Sequence, residues 1–292
     1  MLECTPSAPA ARTRLRGTIA AVAEALSFSL RPSPSSLPSW SARQVSPCWN
    51  APAAGSRLTP AGHNLATHAE AVLQRLEQAA SELVDARHGL AGPVRIGMSP
   101  TAARVILPAA LIRLAQDHPR LEPMVSEIDP AQVAAALRAG DLDLALVQDY
   151  DFVPLPAEPG VSTRPLCTEP VYLAATGPLR LAACAELPWI VAGAGTACHA
   201  MTVRACQAAG FTPRIRHRID EFATVLALVA AGQGVALVPQ WGAVELPAGV
   251  TLTSLPIQRR TMTAHRAGAA AHPAVATVTR ALEWSSGGRP GR

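Results

Sequence analysis

The chain has 292 residues, 49% of them apolar, and a formal net charge of +4. These values fit one or two globular domains with a real core, and so mild a charge does not by itself argue for nucleic acid. No stretch approaches the run of about 18 apolar residues that a membrane helix needs, and no compact apolar segment with a cleavage site marks a signal peptide, so no membrane contact and a cytoplasmic protein are expected. The six cysteines (Cys4, Cys48, Cys167, Cys184, Cys198 and Cys206) form no CxxC pair and no metal spacing, which suits reduced thiols. His63 and His68 are too far apart in step to share a helix face as zinc ligands, so no metal site is expected. Every basic side chain is Arg, which hints at a GC-rich coding sequence.

In chain order, the first segment with helical spacing is Gly17 to Ser29, where Thr18 would cap and Ile19, Val22, Ala23 and Leu26 recur on one face. From Leu30 to Arg57 that pattern collapses. Pro32, Pro34, Pro38, Pro47 and Pro52 punctuate the stretch, and a proline in a helix interior costs about 3 kcal/mol. No helix as long as a DNA-reading element fits there.

Leu58 begins the segment LTPAGHNLATHAEAVLQRLEQAASELVDARHGLAGPVRIGMSPTAARVILP. Thr59 is a good N-cap and Pro60 sits where a missing N–H costs nothing. Leu65, Ala69, Val72, Leu76, Ala79 and Leu83 alternate steps of four and three, a period of 3.5 that keeps one apolar seam toward a partner helix. An ordinary amphipathic surface helix remains the alternative. Gly89, Gly92 and Pro93 close the helix. Val94 to Met98 then alternates as a strand, and Ser99-Pro100-Thr101 opens a helix. Hydroxyls at a helix N-terminus either favour an anionic ligand group or only cap the helix.

Beyond a turn at Leu107-Pro108, the residues Leu111 to Ala115 continue that helix. Leu121 to Ser126 reads as a strand, Pro130 opens a helix closed by Gly140, and Leu142 to Val147 is a third strand with Gln148 and Asp149 at its carboxyl end. Strand-helix alternation implies parallel pairing, with ligands beyond the carboxyl ends of the strands. Ser99, Thr101, Gln148 and Asp149 should therefore converge. After an irregular link at Pro154 to Gly160, Val161 to Leu166 should cross to a second lobe. Its strands are expected at Val171–Ala175, Trp189–Ala192, Arg214–Ile219 and Val235–Val238, and its helices at Ala197–Ala209 and Phe222–Ala231. Gly193-Ala194-Gly195-Thr196 joins a strand to a helix, as a ligand-approaching turn or a plain capped turn. Phe222 and Trp241 are aromatics for the cleft or the core, and Glu221 suits the N-terminus of its helix. Thr251–Ser254 and Arg260–His265 are read as return strands, Pro273–Trp284 as a closing helix, and Ser285 onward as a disordered tail.

Leading LTPAG, the long helix, G-P-V-R-I-G, S-P-T-A-A-R-x-I-L-P, A-L-R-A-G-D-L-D-L-A-L-V and G-Q-G-V-A-L-V-P together resemble the LysR-type transcriptional regulators, over roughly Leu58 to the end. The resemblance implies an α/β, two-lobed, periplasmic-binding-protein-like effector domain, preceded by a linker helix and a winged helix-turn-helix. It implies DNA and a small-molecule effector as partners, a homo-oligomer through the Pro60–Arg87 helix, no cofactor and no catalysis. The corresponding divisions are a degenerate winged helix-turn-helix at 1–58, the linker at 59–89 and the effector domain at 90–292. Within the last, lobe I would be 93–163 with 262–284, and lobe II 164–261. Effector-binding residues would be Ser99, Pro100, Thr101, Gln148, Asp149, Gly193, Gly195, Thr196 and Phe222. DNA-binding residues would be Thr18, Ile19, Ala20, Ala23 and Ser27.

The resemblance fails at the expected recognition helix. Taking the third base of each codon from Leu30 onward with the first two bases of the next, synonymous codons allow SAVSQQLAVLEREAGVALLERAGRRL, which resembles that family's recognition helix and wing. The opposite shift over Thr5 to Leu15 allows RLRLLRELA, similar to its first helix. Two stretches out of phase would leave a protein that binds DNA poorly, because the base-reading helix is missing. A naturally disordered Pro/Ser-rich arm is the rival reading. Two other functions are weighed against a regulator: a stand-alone ligand-binding or dimerisation module without specific DNA binding, and an enzyme. The second lacks any Ser/His/Asp, Cys/His or paired-carboxylate set, and Cys198-His199 adjacency does not turn a nucleophile toward a base.

Overall fold

A computed structural model describes residues 49–50, 57–65, 67–69, 71–72, 75–76, 79 and 90–287. The segment expected as a helix at 17–29, and with it Thr18, Ile19, Ala20, Ala23 and Ser27, lies outside the described residues. The chain divides into two units, Met1–Arg87 with Ala267–His272, and His88–Arg266 with Pro273–Arg292.

In the first unit, strands β1 (Trp49–Asn50) and β2 (Arg57–Leu58) pair antiparallel. Helical residues follow at 60–65, 67–69, 71–72, 75–76 and 79. Thr59 caps the first of them as expected, its Oγ1 accepting the Gly62 N–H at 3.0 Å. Along the apolar seam Ala69 is buried and Leu65 half-buried, whereas Val72 and Leu76 stand 46% and 50% exposed.

The second unit is built on a six-stranded sheet whose strands run in the order Leu121–Glu127 (β4), Gly92–Met98 (β3), Leu144–Tyr150 (β5), Thr251–Arg266 (β10), Val161–Ala175 (β6) and Ala236–Pro239 (β9). Strand β3 (Gly92–Met98) pairs parallel with β4 (Leu121–Glu127) and β5 (Leu144–Tyr150), joined by helices α1 (Pro100–Asp117) and α2 (Pro130–Ala139). These are the βαβ crossovers that parallel strands alternating with helices require. Two long strands, β6 (Val161–Ala175) and β10 (Thr251–Arg266), run antiparallel through the whole sheet. Strand β9 (Ala236–Pro239) pairs with the far half of β6. Beside it lie β7 (Pro188–Val191) and β8 (Arg214–Arg218), paired parallel, with helices α3 (Ala197–Ala208) and α4 (Phe222–Ala230). Helix α5 (Pro273–Gly287) closes the chain.

Burial explains the sequence runs. Along β5, Leu144 and Leu146 face one core with Ile96, Met98, Ile106, Leu114, Val278 and Leu282, while Ala145 and Val147 face another with Val133 and Leu137. A strand covered on both faces reads as a continuous apolar run. The second lobe buries Trp189, Met201, Leu173 and Leu237 on one side and Ile190, Leu226, Val229 and Val238 on the other. Among the described residues no helix is long and apolar enough to cross a membrane.

Several boundaries differ from expectation. Pro108 does not mark a turn but lies inside an unbroken α1, on its exposed face, where water can satisfy the carbonyl that has lost its N–H partner. The two pieces expected at 161–166 and 171–175 form one strand, as do those at 251–254 and 260–265. Pro256 falls within the register irregularity between Ser254 and Gln258, and Pro165 pairs beside the shift at Thr261/Met262. Prolines are tolerated at such bulges, and they hid the continuity of the strands. Helix α5 runs past Trp284, with the Ser285 Oγ donating to the Ala281 carbonyl at 2.9 Å, so the tail at 285–287 is helical.

Candidate effector-binding site

A cavity of about 550 Å³ opens beyond the carboxyl ends of the parallel strands of the second unit. Helices α1 to α4 all direct their N-termini to its walls, because each follows a strand that ends there. Their caps fall into two chemical kinds. Ser99 caps α1 and Thr196 caps α3, the latter accepting the His199 N–H at 3.1 Å. Asp129 caps α2 through the Ala131 N–H at 2.9 Å, and Glu221 caps α4 through Ala223 at 2.9 Å and Thr224 at 2.6 Å. Carboxylates therefore quench the free N–H groups of α2 and α4, whereas the hydroxyl-capped ends of α1 and α3 keep their positive character.

Of the residues singled out in the sequence, Ser99, Pro100, Thr101, Gln148, Thr196 and Phe222 line the cavity together. Gln148 Nε2 donates to Ser99 Oγ at 3.3 Å, joining the ends of β3 and β5 across 49 positions of sequence. Asp149 does not join them. Strand alternation turns it to the opposite face, where its Oδ1 accepts from Arg260 Nε at 2.7 Å. Gly193 and Gly195 are not among the lining residues. They shape the turn instead: Gly195 takes φ +92°, Thr196 Oγ1 donates to the Gly193 carbonyl at 2.8 Å, and the Gly193 N–H donates to Asp220 Oδ1 at 2.8 Å. Trp241 is core rather than wall, its backbone N–H donating to Glu169 Oε2 at 2.6 Å.

Sequence reasoning missed Arg104, Glu127, Tyr150, Cys198, Asp220 and Arg259, all on the cavity wall. Tyr150 was reachable, since it follows Gln148 by two positions on the same strand face. Arg259 was not, because its partner Glu169 lies 90 residues away. Arg259 Nε donates to Glu169 Oε1 at 2.7 Å, and both side chains are buried. Burial pushes the Tyr150 hydroxyl above its ordinary range against the pull of Arg259. Burial likewise raises the Cys198 thiol, with Arg259 and Tyr150 opposing. A thiol held protonated is a poor nucleophile. The Glu221 carboxyl, which burial alone would raise, is held below its usual value by the Ala223 and Thr224 N–H groups and by Arg104. Among the described residues no group of His, Cys, Asp and Glu is placed to hold a metal ion.

Two α/β lobes threaded by a pair of long crossing strands, with a cavity ringed by helix N-termini, define a ligand-binding domain of the periplasmic-binding-protein type. The family model described as "LysR substrate binding domain" matches residues 87–285, and the chain belongs to the LysR family. A probable hydrogen peroxide-inducible genes activator of Mycobacterium avium is 31% identical over 193 residues, covering 63% of this chain and 60% of that protein. The nitrogen assimilation regulatory protein nac of Klebsiella aerogenes is 29% identical over 198 residues, covering 66% and 63%. The match thus spans less than two thirds of these relatives' length. Among solved structures, the C-terminal domain of a probable LysR family transcriptional regulator from Rhodococcus sp. RHA1 is 26% identical with a TM-score of 0.56, over 66% of this chain and 99% of that one. An OxyR variant of Corynebacterium glutamicum shares the fold at 24% identity and a TM-score of 0.58, over 98% and 92%.

Proposed function

We propose that the chain is a LysR-type transcriptional regulator, not an enzyme, whose cytoplasmic effector domain binds a small molecule in the 550 Å³ cavity. The observation that carries this reading is the Ser99–Gln148 hydrogen bond at the cavity wall, beside the hydroxyl-capped N-termini of α1 and α3. Such a volume suits a small polar ligand, with Ser99, Thr101, Gln148 and Thr196 supplying hydrogen bonds and Phe222 an apolar surface. The experiment is capture of metabolites from a cell extract by the full chain, read by mass spectrometry, with Thr101→Trp as the cavity-filling control. A metabolite retained by the wild type and lost from the variant supports the reading. Retention indifferent to Thr101→Trp contradicts it.

DNA is the proposed macromolecular partner of this architecture. CbnR, whose fold the chain shares at 18% identity and a TM-score of 0.56, has been solved with its target DNA. In this chain specific DNA binding is impaired, because the sequence from Leu30 to Arg57 carries five prolines where a base-reading helix belongs. The Val72 and Leu76 seam of the linker supports a homo-oligomer formed through that helix. A second reading follows from the same prolines: a ligand-binding, dimerising module that forms mixed dimers with intact relatives and lowers their occupancy on DNA.

A further inference from the structure

The charged groups of the cavity wall do not balance, and the imbalance has a direction. Four carboxylates (Glu127, Asp129, Asp220 and Glu221) face two guanidinium groups, Arg104 and Arg259. Asp129 and Glu221 are committed to the N–H groups of their own helices, and Arg104 lies close enough to act on Glu221. Glu127 and Asp220 are exposed, and among the described residues neither makes an ion pair; Asp220 accepts one N–H, from Gly193. The mouth of the cavity therefore carries two carboxylates with no cation against them.

The floor has the opposite character. Arg259 is buried, with Nε donating to Glu169 Oε1 and a side-chain hydrogen bond to Tyr150, which leaves part of its five-donor fork unmatched. Its Nη2 lies 2.6 Å from the same Glu169 oxygen but off the hydrogen-bonding direction, and it has no hydrogen-bond partner. A buried guanidinium with donors to spare is costly until an acceptor arrives. Tyr150 and Cys198, which line the cavity beside it, bring two further polar groups to that wall.

Resting on the reading of this cavity as the effector site, we propose that the ligand is a small zwitterion of the α-amino-acid class, with its carboxylate toward Arg259 and its ammonium toward Glu127 and Asp220. A simple dianion meets uncompensated carboxylates at the mouth. A simple amine leaves the Arg259 donors unmatched.

The test is thermal shift and isothermal titration of the full chain with the twenty L-amino acids, each set beside its deaminated acid and its decarboxylated amine, and with succinate as the dianion. The expected result is stabilisation by at least one amino acid and none by its acid or amine analogue. Arg259→Met combined with Glu169→Met removes both buried charges together, so that neither is left alone. It should cut the amino acid's affinity about tenfold or more. Glu127→Gln, on an exposed side chain outside the buried cores, should weaken the amino acid and leave its deaminated analogue no worse. Succinate or a deaminated acid binding as tightly as any amino acid overturns the proposal, as does a panel in which nothing binds, or undiminished binding by the double variant. Binding of acids alone, abolished by Thr101→Trp, would leave the effector site standing and the zwitterion refuted. Binding of every class indifferent to Thr101→Trp would refute the effector site itself.

Discussion

Arg259 and Glu169 are direct register partners on the two long antiparallel strands, and their side chains meet in the interior with Nε 2.7 Å from Oε1. Glu169 Oε2 takes the Trp241 N–H at 2.6 Å, tying the turn after β9 to the same point. Burial pushes the Glu169 carboxyl up while Arg259 and that N–H pull it down. Replacing Glu169 with Ala strands the guanidinium. Breaking a buried pair from one side costs about 3–5 kcal/mol, whereas removing both charges is close to neutral. Urea unfolding of the full chain should therefore show Glu169→Ala to be far less stable than the Glu169→Met/Arg259→Met double variant. Equal stability of the two would contradict the pairing.

Arg260 works on the opposite face of the same strand. It reaches Asp149 through Nε at 2.7 Å and Asp151 through Nη1 at 2.6 Å, both more open to solvent than the Arg259 pair. The Arg260 hydrogen bond, with the Gln258 N–H and against a burial penalty, holds the Asp151 carboxyl below its usual 3.8. A carboxyl depressed in the folded state stabilises fully above its unfolded value and loses that contribution as pH falls through the folded one. Asp151→Asn should thus cost at most about 1 kcal/mol near neutral pH, given the exposure. The variant and wild-type melting temperatures should converge as pH falls below about 3.8. A gap that widens in acid would refute the assignment.

A Cβ on Gly242 would lie 2.7 Å from Cγ of the Phe222 ring and 2.9 Å from Val238 Cγ1. Overpacking of this kind costs about 1–3 kcal/mol, and the movable neighbour is a cavity-wall residue. Gly242→Ala should lower the melting temperature and shift the near-ultraviolet signal and ligand affinity together. An unchanged affinity would show that Phe222 does not shape the site.

Val72 and Leu76 lie one helical step apart and are half exposed. If this seam joins two copies, Leu76→Glu should shift the mass measured by light scattering toward the monomer, since a charge in an apolar seam is strongly unfavourable. A variant that keeps the wild-type mass would place the interface elsewhere.

The strands of the first lobe were legible because each obeys one rule. Val94, Ile96 and Met98 fall on one buried face, Leu144 to Val147 is buried on both faces, and Pro130 and Gly140 frame α2 as first-turn proline and left-handed stop. Legibility ended where local pattern and tertiary context part. Pro108 reads as a break but rides on a solvent face. Pro165, Pro170 and Pro256 interrupt the alternation of strands that continue through them. Asp149 was placed at a strand end, yet β5 runs on to Tyr150, and that single residue of register sends its side chain away from the cavity. Arg259 carries no local mark at all, since only a partner 90 positions back makes it a buried cation.

The central claim, a ligand-responsive regulator with a disabled DNA reader, is tested most directly by selection from genomic DNA followed by fluorescence anisotropy. The measurement compares the present chain with one re-read in the alternative frames over 5–15 and 30–57. Only the re-read protein should enrich a discrete duplex and hold it at about 0.15 M salt, while the present chain should bind weakly and without sequence preference. Enrichment of the same duplex by the present chain, with comparable affinity, would contradict that claim.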